Sequence, residues 1–354
     1  MAEERMLFAV FGTPSALTYW VEYCARTILS GALDRIHLVR ANSIDAMREG
    51  ISSRNGDPVF LSSDLPETSV TDVVIRSGAP AIIVLEYPED VVGYLLKERN
   101  MNSVAALRLA TQSICVLSEF SQSVQVRDIR SSFFDRPLEI ALEEICLALG
   151  LDLSEERVRR AAGTLLSGAS PNATVLSSVV QHFPSAEAPG AYSHNWLAPD
   201  RILIDGIAPQ YSPLIRGDKL EKVSWSYSIF ANWDYPGEYL VGPIALTGPR
   251  RFIICGPYLH LPKGLWRCVV EIEVAENFSG NRLRADIALG GEVLAGIEAD
   301  LPIEGRYAFE IEFFCHDPYL PAEVRFELLE GAIEGELFLR SVNFLAGAAS
   351  QVRR

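Results

Sequence analysis

A chain of 354 residues, 49% hydrophobic and 22% charged, has the composition of a globular protein with room for two domains. Its formal net charge of −15 argues against a nucleic-acid surface, because neutralising phosphates needs clustered Lys and Arg, and no run of basic residues exceeds two, as in the tail Arg353–Arg354. No apolar run approaches the ~18 residues of a membrane span. The start MAEERMLFAVFG lacks the basic and apolar regions of a leader, so a cytoplasmic location is expected.

From residue 5 to about 165, strands alternate with helices. MLFAVFG reads as a strand ending in Gly-Thr-Pro, and ALTYWVEYCARTILSG as a helix ending at Gly31. DRIHLVR, DPVFLSS and PAIIVLEY follow as strands two to four. Their unbroken apolar character predicts strands buried on both faces, as in a parallel sheet. PLEIALEEICLALGL is a helix with Leu138, Leu142, Ile145 and Leu149 on one face and Gly150 as its stop signal. The alternation predicts a doubly wound α/β domain over residues 1–165.

Residues 166–200 are rich in Ser, Ala, Pro and Gly and read as a connector with one short central helix. Asp205-Gly206 reads as a strand-end turn. From about 201 the period becomes two: Val270, Ile272 and Val274 alternate with Glu271 and Glu273. Tyr307, Phe309, Ile311 and Phe313 alternate with Ala308, Glu310 and Glu312, and Val324, Phe326 and Leu328 repeat the pattern. Turn signals (LPKG, FSGN, LPIEG, DPYLP) separate these runs, which predicts an antiparallel β-sandwich of jelly-roll type over residues 201–348, then a tail, 349–354.

The six cysteines (24, 115, 146, 255, 268, 315) are scattered, with no C-x-x-C pair, and read as reduced packing residues. The five histidines have no metal-ligand spacing, so no metal is expected. There is no G-x-x-x-x-G-K-[ST], G-x-G-x-x-G, G-x-S-x-G or H-E-x-x-H motif.

Three stretches of the first half, in order and spacing, resemble the P-loop sulfotransferase family, which transfers a sulfuryl group from 3′-phosphoadenylyl sulfate (PAPS). Pro14-Ser15-Ala16-Leu17-Thr18-Tyr19-Trp20 stands where the family has a P-K-S-G-T-T-W phosphosulfate loop. Ser62-Ser63-Asp64-Leu65-Pro66 stands at K-T-H-L-P, whose His is the usual base. Glu86-Tyr87-Pro88-Glu89-Asp90-Val91-Val92-Gly93 stands at R-D-P-x-D-V-x-x-S, which holds the 3′-phosphate. VRDIRSSFFDRPLEIALEEICLALGL is similar to the strand and helix that follow. The resemblance spans roughly residues 5–160 and implies the family's fold.

The chemistry departs from the frame. Ser15 stands for the loop Lys, Leu17 for the Gly, Asp64 for the base, Glu86 for the Arg and Gly93 for the Ser. Each lost charge-assisted contact costs about 1.5–3 kcal/mol, so three losses weaken donor binding by on the order of 10³ to 10⁶. The expectation is a non-catalytic domain without cofactor. An active transferase with a rebuilt PAPS site, Asp64 as base and Thr18 with Tyr19 as anion ligands, stays open.

In the second half, VSWSYSIFANWDYPGEYLVGPIAL is rich in aromatics. Trp225 and Tyr227 read as a buried pair on one strand face. Trp233 and Tyr235, in a turn with Asn232 and Asp234, are the candidate sugar contacts. The phrasing from GPYLHLPKGLWRC to FLRSVNF resembles accessory β-sandwich domains of bacterial polysaccharide-assembly enzymes, and implies a glycan or protein partner. Three classes therefore stand: an interaction or scaffolding protein, a carbohydrate-binding protein and a group transferase. An oligomer is compatible with each.

Overall fold

The computed structural model describes residues 7–122, 126–184, 186–192 and 196–347. The expected tail, 349–354, lies outside the described residues. The chain divides into two compact units, Met1–Leu197 with Leu214–Gly217, and Ala198–Pro213 with Asp218–Arg354.

The first unit is an α/β fold. Its strands are β1 (Leu7–Gly12), β2 (His37–Arg40), β3 (Val59–Ser63), β4 (Ala81–Leu85) and β5 (Val126–Arg130). They form one parallel sheet in the order β2-β3-β1-β4-β5. All five residues of β3 and of β4 are buried, which is why these strands read as continuous apolar runs. The helices are α1 (Ala16–Ala32), α2 (Ile44–Ser52), α3 (Thr68–Ser77), α4 (Pro88–Arg99), α5 (Ser103–Phe120), α6 (Leu138–Ala148), α7 (Glu156–Leu166) and α8 (Val175–His182). Helix α1 lays Leu17, Trp20, Val21, Cys24 and Ile28 into the main core, with Leu138, Leu142, Ile145 and Leu149 of the α6 region. Burying each such side chain is worth about 1.5–3 kcal/mol.

The segment read as a connector holds its expected short central helix, α8, and contributes four buried residues to this core. Val175, Val179, Ala186 and Tyr192 are all buried in it. The Trp20 indole Nε1 donates to Ser178 Oγ at 3.0 Å, fastening α8 to α1. Gly93 of α4 has no side chain, and Tyr192 fills the space one would take.

The second unit opens with α9 (Ala198–Ile207), which buries Ile204 and Ile207, so Asp205-Gly206 is helical rather than a strand-end turn. A short α10 (Ser212–Arg216) follows in the chain, its Leu214–Arg216 grouped with the first unit. The strands are β6 (Lys222–Trp225), β7 (Ala231–Asn232), β8 (Ile244–Ala245), β9 (Arg251–Cys255), β10 (Pro257–Leu259), β11 (Gly264–Ala275), β12 (Arg282–Leu289), β13 (Glu292–Asp300), β14 (Gly305–Cys315), β15 (Ala322–Leu328) and β16 (Glu336–Ala346). They make two antiparallel sheets, β14-β11-β16-β6 with β8 on β16, and β13-β12-β15-β9-β7 with β10 on β15.

Val270, Ile272 and Val274 are buried, as their period predicts, and so are Val324, Phe326 and Leu328. The rings of Phe309 and Phe326 meet edge-on between the two sheets at 6.4 Å. At one end, fully buried Asn277 donates from Nδ2 to the carbonyls of Leu301 and Pro302, both at 3.0 Å, which ties two loops together. Trp225 packs against Phe344 at 4.3 Å between ring centres. Tyr227 is exposed, because β6 ends at Trp225 and Tyr227 begins a 3₁₀ turn; the expected buried pair does not form.

All six cysteines are reduced and buried. Among the described residues, no group of three His, Cys, Asp or Glu side chains is placed to hold a metal ion. No described helix is long and apolar enough to cross a membrane.

Candidate functional sites

In the first unit the candidate residues gather at the carboxyl ends of β1, β3 and β4, the usual ligand position of an open α/β sheet. The loop after β1 ends in Ser15, the N-cap of α1, whose Oγ accepts from the Thr18 amide at 3.2 Å. The Thr18 hydroxyl is turned inward: it donates to the Thr13 carbonyl at 2.6 Å, and the Ser15 hydroxyl lies 3.1 Å away. Gly12 has no side chain because that of Thr18 lies where a Cβ would be.

Helix α1 has no acidic residue in its first turn. Its positive end meets an anion from another element. Glu86, just past β4, is buried, and its carboxyl group accepts from the Leu17 backbone amide and the Ser15 hydroxyl. The Glu86 amide donates to Thr13 Oγ1 at 3.3 Å, closing the connection from the other side. Burial pushes the Glu86 carboxyl up to about 7, with a further push from Asp90, against the opposing pull of Ser15 and Leu17. Its Oε1 has no hydrogen-bond partner. The chain thus puts its own carboxylate where a helix N-terminus would receive a phosphate. Asp90, raised by burial, accepts from the Gly190 amide at 2.6 Å, and so the 186–192 segment closes over α4.

Asp64, at the end of β3, does not face Thr18. Its neighbour Tyr19 reaches it instead: the Tyr19 hydroxyl donates to Asp64 Oδ2 at 2.6 Å. Arg99, from the last turn of α4, donates to the same oxygen at 2.6 Å and also contacts the Tyr19 hydroxyl. Arg40, at the end of β2, lies 3.2 Å from Asp64 Oδ2 and sits over the Tyr19 ring. Burial alone would raise the Asp64 carboxyl. The hydrogen bonds from Tyr19 and Arg99, with the charges of Arg40 and Arg99, outweigh that and hold it below the usual carboxylate range. A carboxylate so held is a weak proton acceptor. Sequence reading missed Arg40 and Arg99; the one signal was a cation at each element's carboxyl end, which is common on surfaces.

In the second unit, Asn232 and Asp234 shape the turn. Asn232 Oδ1 accepts from the Asp234 amide at 3.1 Å, and the Asp234 carboxylate takes two bonds from Arg251, at 2.7 and 2.8 Å. Trp233 and Tyr235 are exposed. The Trp233 ring leans on Phe252 of β9, with centres 5.4 Å apart.

No family model matches the chain, and no curated protein matches it. Among solved structures, a mouse sulfotransferase complexed with PAP aligns at 12% identity over 56% of this chain and 80% of that one, with a TM-score of 0.37. A CBM36 domain of a multidomain xylanase from the hindgut metagenome of Trinervitermes trinervoides aligns at 12% identity over 34% of this chain and 87% of its own, TM-score 0.21. TmCBM61 in complex with β-1,4-galactotriose aligns at 14% identity over 37% and 85%, TM-score 0.23.

Proposed function

We propose that the chain is a non-catalytic sulfotransferase-like protein whose β-sandwich, of jelly-roll type, binds or scaffolds a glycan in bacterial surface-polysaccharide production. The observation that carries the first half of this reading is Glu86. A sulfuryl donor needs the amides at the head of α1 and cations around them. Here those amides face a buried carboxylate, and Ser15 and Leu17 stand where a cation and a glycine are needed. Tyr192 occupies the space beside Gly93, where the resembled family places its 3′-phosphate serine. These residues do not fit PAPS, and no transfer step is assigned to Asp64, Thr18 or Tyr19.

The test is a calorimetric titration with adenosine 3′,5′-bisphosphate, the desulfated donor product (PAP), at low salt, where residual electrostatic binding is strongest. The expected result is no heat at millimolar ligand. Micromolar affinity would mean a rebuilt donor site and an active transferase.

A further inference from the structure

The period-two pattern assigns Glu323, Arg325 and Glu327 of β15 to a solvent face, as it does Arg284 and Asp286 of β12. They are not solvated as that pattern implies. Asp286 is 2% exposed, Glu327 6% and Glu323 8%. Ion pairs on a sheet face that meets only water stay exposed and contribute about 0–1 kcal/mol each. Asp286 and Glu327 are instead held in one connected lattice with arginines, and Glu323 lies on the same face bonded to a tyrosine. Arg325 Nε donates to Asp286 Oδ1 at 2.7 Å. Arg284 lies 2.5 Å from Glu327 Oε2 and 3.6 Å from Asp286 Oδ2. Arg250 Nε donates to Glu327 Oε1, and the Tyr258 hydroxyl to Glu323 Oε1, both at 2.8 Å.

The lattice runs into an aromatic ledge. The Arg325 guanidinium sits 5.4 Å from the centre of the Phe252 ring, and Phe252 carries Trp233, which is 49% exposed. Opposite Asp286, β13 supplies Gly296, where a Cβ would lie 3.1 Å from that of Asp286, so a glycine lets the two strands close on the carboxylate.

We infer that this outer face of the β13-β12-β15-β9-β7 sheet is a binding site for a neutral, hydroxyl-rich glycan, with a sugar ring stacked on Trp233 and hydroxyls on the ion-pair lattice. The inference rests on the glycan-binding half of the reading above and names its site and ligand class. With the cross-strand partners on the same face included, four guanidiniums (Arg250, Arg282, Arg284, Arg325) stand against five carboxylates (Asp286, Glu298, Asp300, Glu323, Glu327), so carboxylates outnumber cations. A uronate or sulfate would have to break an existing pair. A hydroxyl accepts from the outward N–H groups of Arg250 and Arg284, which stay partly exposed, without displacing their carboxylates. The side chains are held in place before any ligand arrives, which lowers the ordering cost of binding.

The test titrates the full chain with neutral gluco-, galacto- and manno-oligosaccharides, and separately with oligogalacturonate and a sulfated oligosaccharide, following tryptophan fluorescence and heat. The expected result is saturable binding of a neutral member, with affinity unchanged from about 0.02 to about 0.5 M salt. Trp233→Ala should weaken it roughly tenfold or more, the size of one lost stacking contact. Phe252→Leu keeps the apolar volume, removes the supporting ring and should also weaken it. Binding confined to acidic oligosaccharides, neutral binding untouched by both substitutions, or no binding at all would overturn the inference. The PAP titration reads the first unit alone, so failure there leaves this result standing, and the reverse.

Discussion

The backbone amide of Leu17 donates to the carboxyl group of Glu86, joining the first turn of α1 to the end of β4. Burial of that carboxyl, which outweighs the pull of the bond, ties the unit's stability to pH. The folded Glu86 titrates near 7 against an ordinary 4.5, so between those values the folded state holds more protons than the unfolded one. Stability of the first unit therefore falls as pH rises from about 4.5 to about 7, by on the order of 3 kcal/mol, and levels off above. Asp90, also raised by burial, adds to the same slope. Urea unfolding across this range should show the decline, and Glu86→Gln should remove most of it. An unchanged slope in the variant would disprove the assignment.

Asp64 has the opposite sign. Its carboxyl is held below the ordinary 3.8, so it stabilises above that value and the contribution fades as pH drops through the lowered one. Asp64→Asn should cost about 1.5–3 kcal/mol at neutral pH, because charge-assisted bonds from Tyr19 and Arg99 weaken together. The penalty should shrink below pH 3.8 in acid-titrated thermal melts.

Gly93 tests how firmly the 186–192 segment is seated. Any Cβ there overlaps Tyr192, so Gly93→Ala should destabilise the first unit by about 1–3 kcal/mol through overpacking. Gly93→Ser, which restores the resembled family's residue, should do the same and gain no affinity for PAP. Denaturant midpoints and the calorimetric titration read the two effects separately.

The two tryptophans near the start of the sandwich should behave in contrasting ways. Trp225, 1% exposed and packed against Phe344, should cost about 3–5 kcal/mol when cut to Ala. Trp233→Ala should stay within about 1 kcal/mol of the parent, which makes it usable as a binding variant. Chemical unfolding of the second unit compares them directly.

Strand positions in the first unit were legible because buried parallel strands such as AIIVL leave no polar alternation. The period of two likewise located β11, β14 and β15. The same rule obscured the lattice, because a Glu or Arg at an outward position looks the same in sequence whether it meets water or a fixed partner. The role of Glu86 was hidden too: Glu86 and Leu17 are far apart in the chain, and only the parallel placement of β1 beside β4 brings them together. The helix over 198–207 was missed because the apolar run Ile202-Leu203-Ile204 also fits a short strand, and Asp-Gly is a turn signal wherever no fold overrides it.

The buried cysteines provide a measuring device that needs no engineering. Cys24, Cys115 and Cys146 lie in the first unit, and Cys255, Cys268 and Cys315 in the second. Burial raises the thiols of Cys24, Cys146 and Cys268, and a buried neutral thiol reacts only when its surroundings open. Brief alkylation followed by peptide mass mapping would therefore time the opening of each half separately, in one sample of the natural chain.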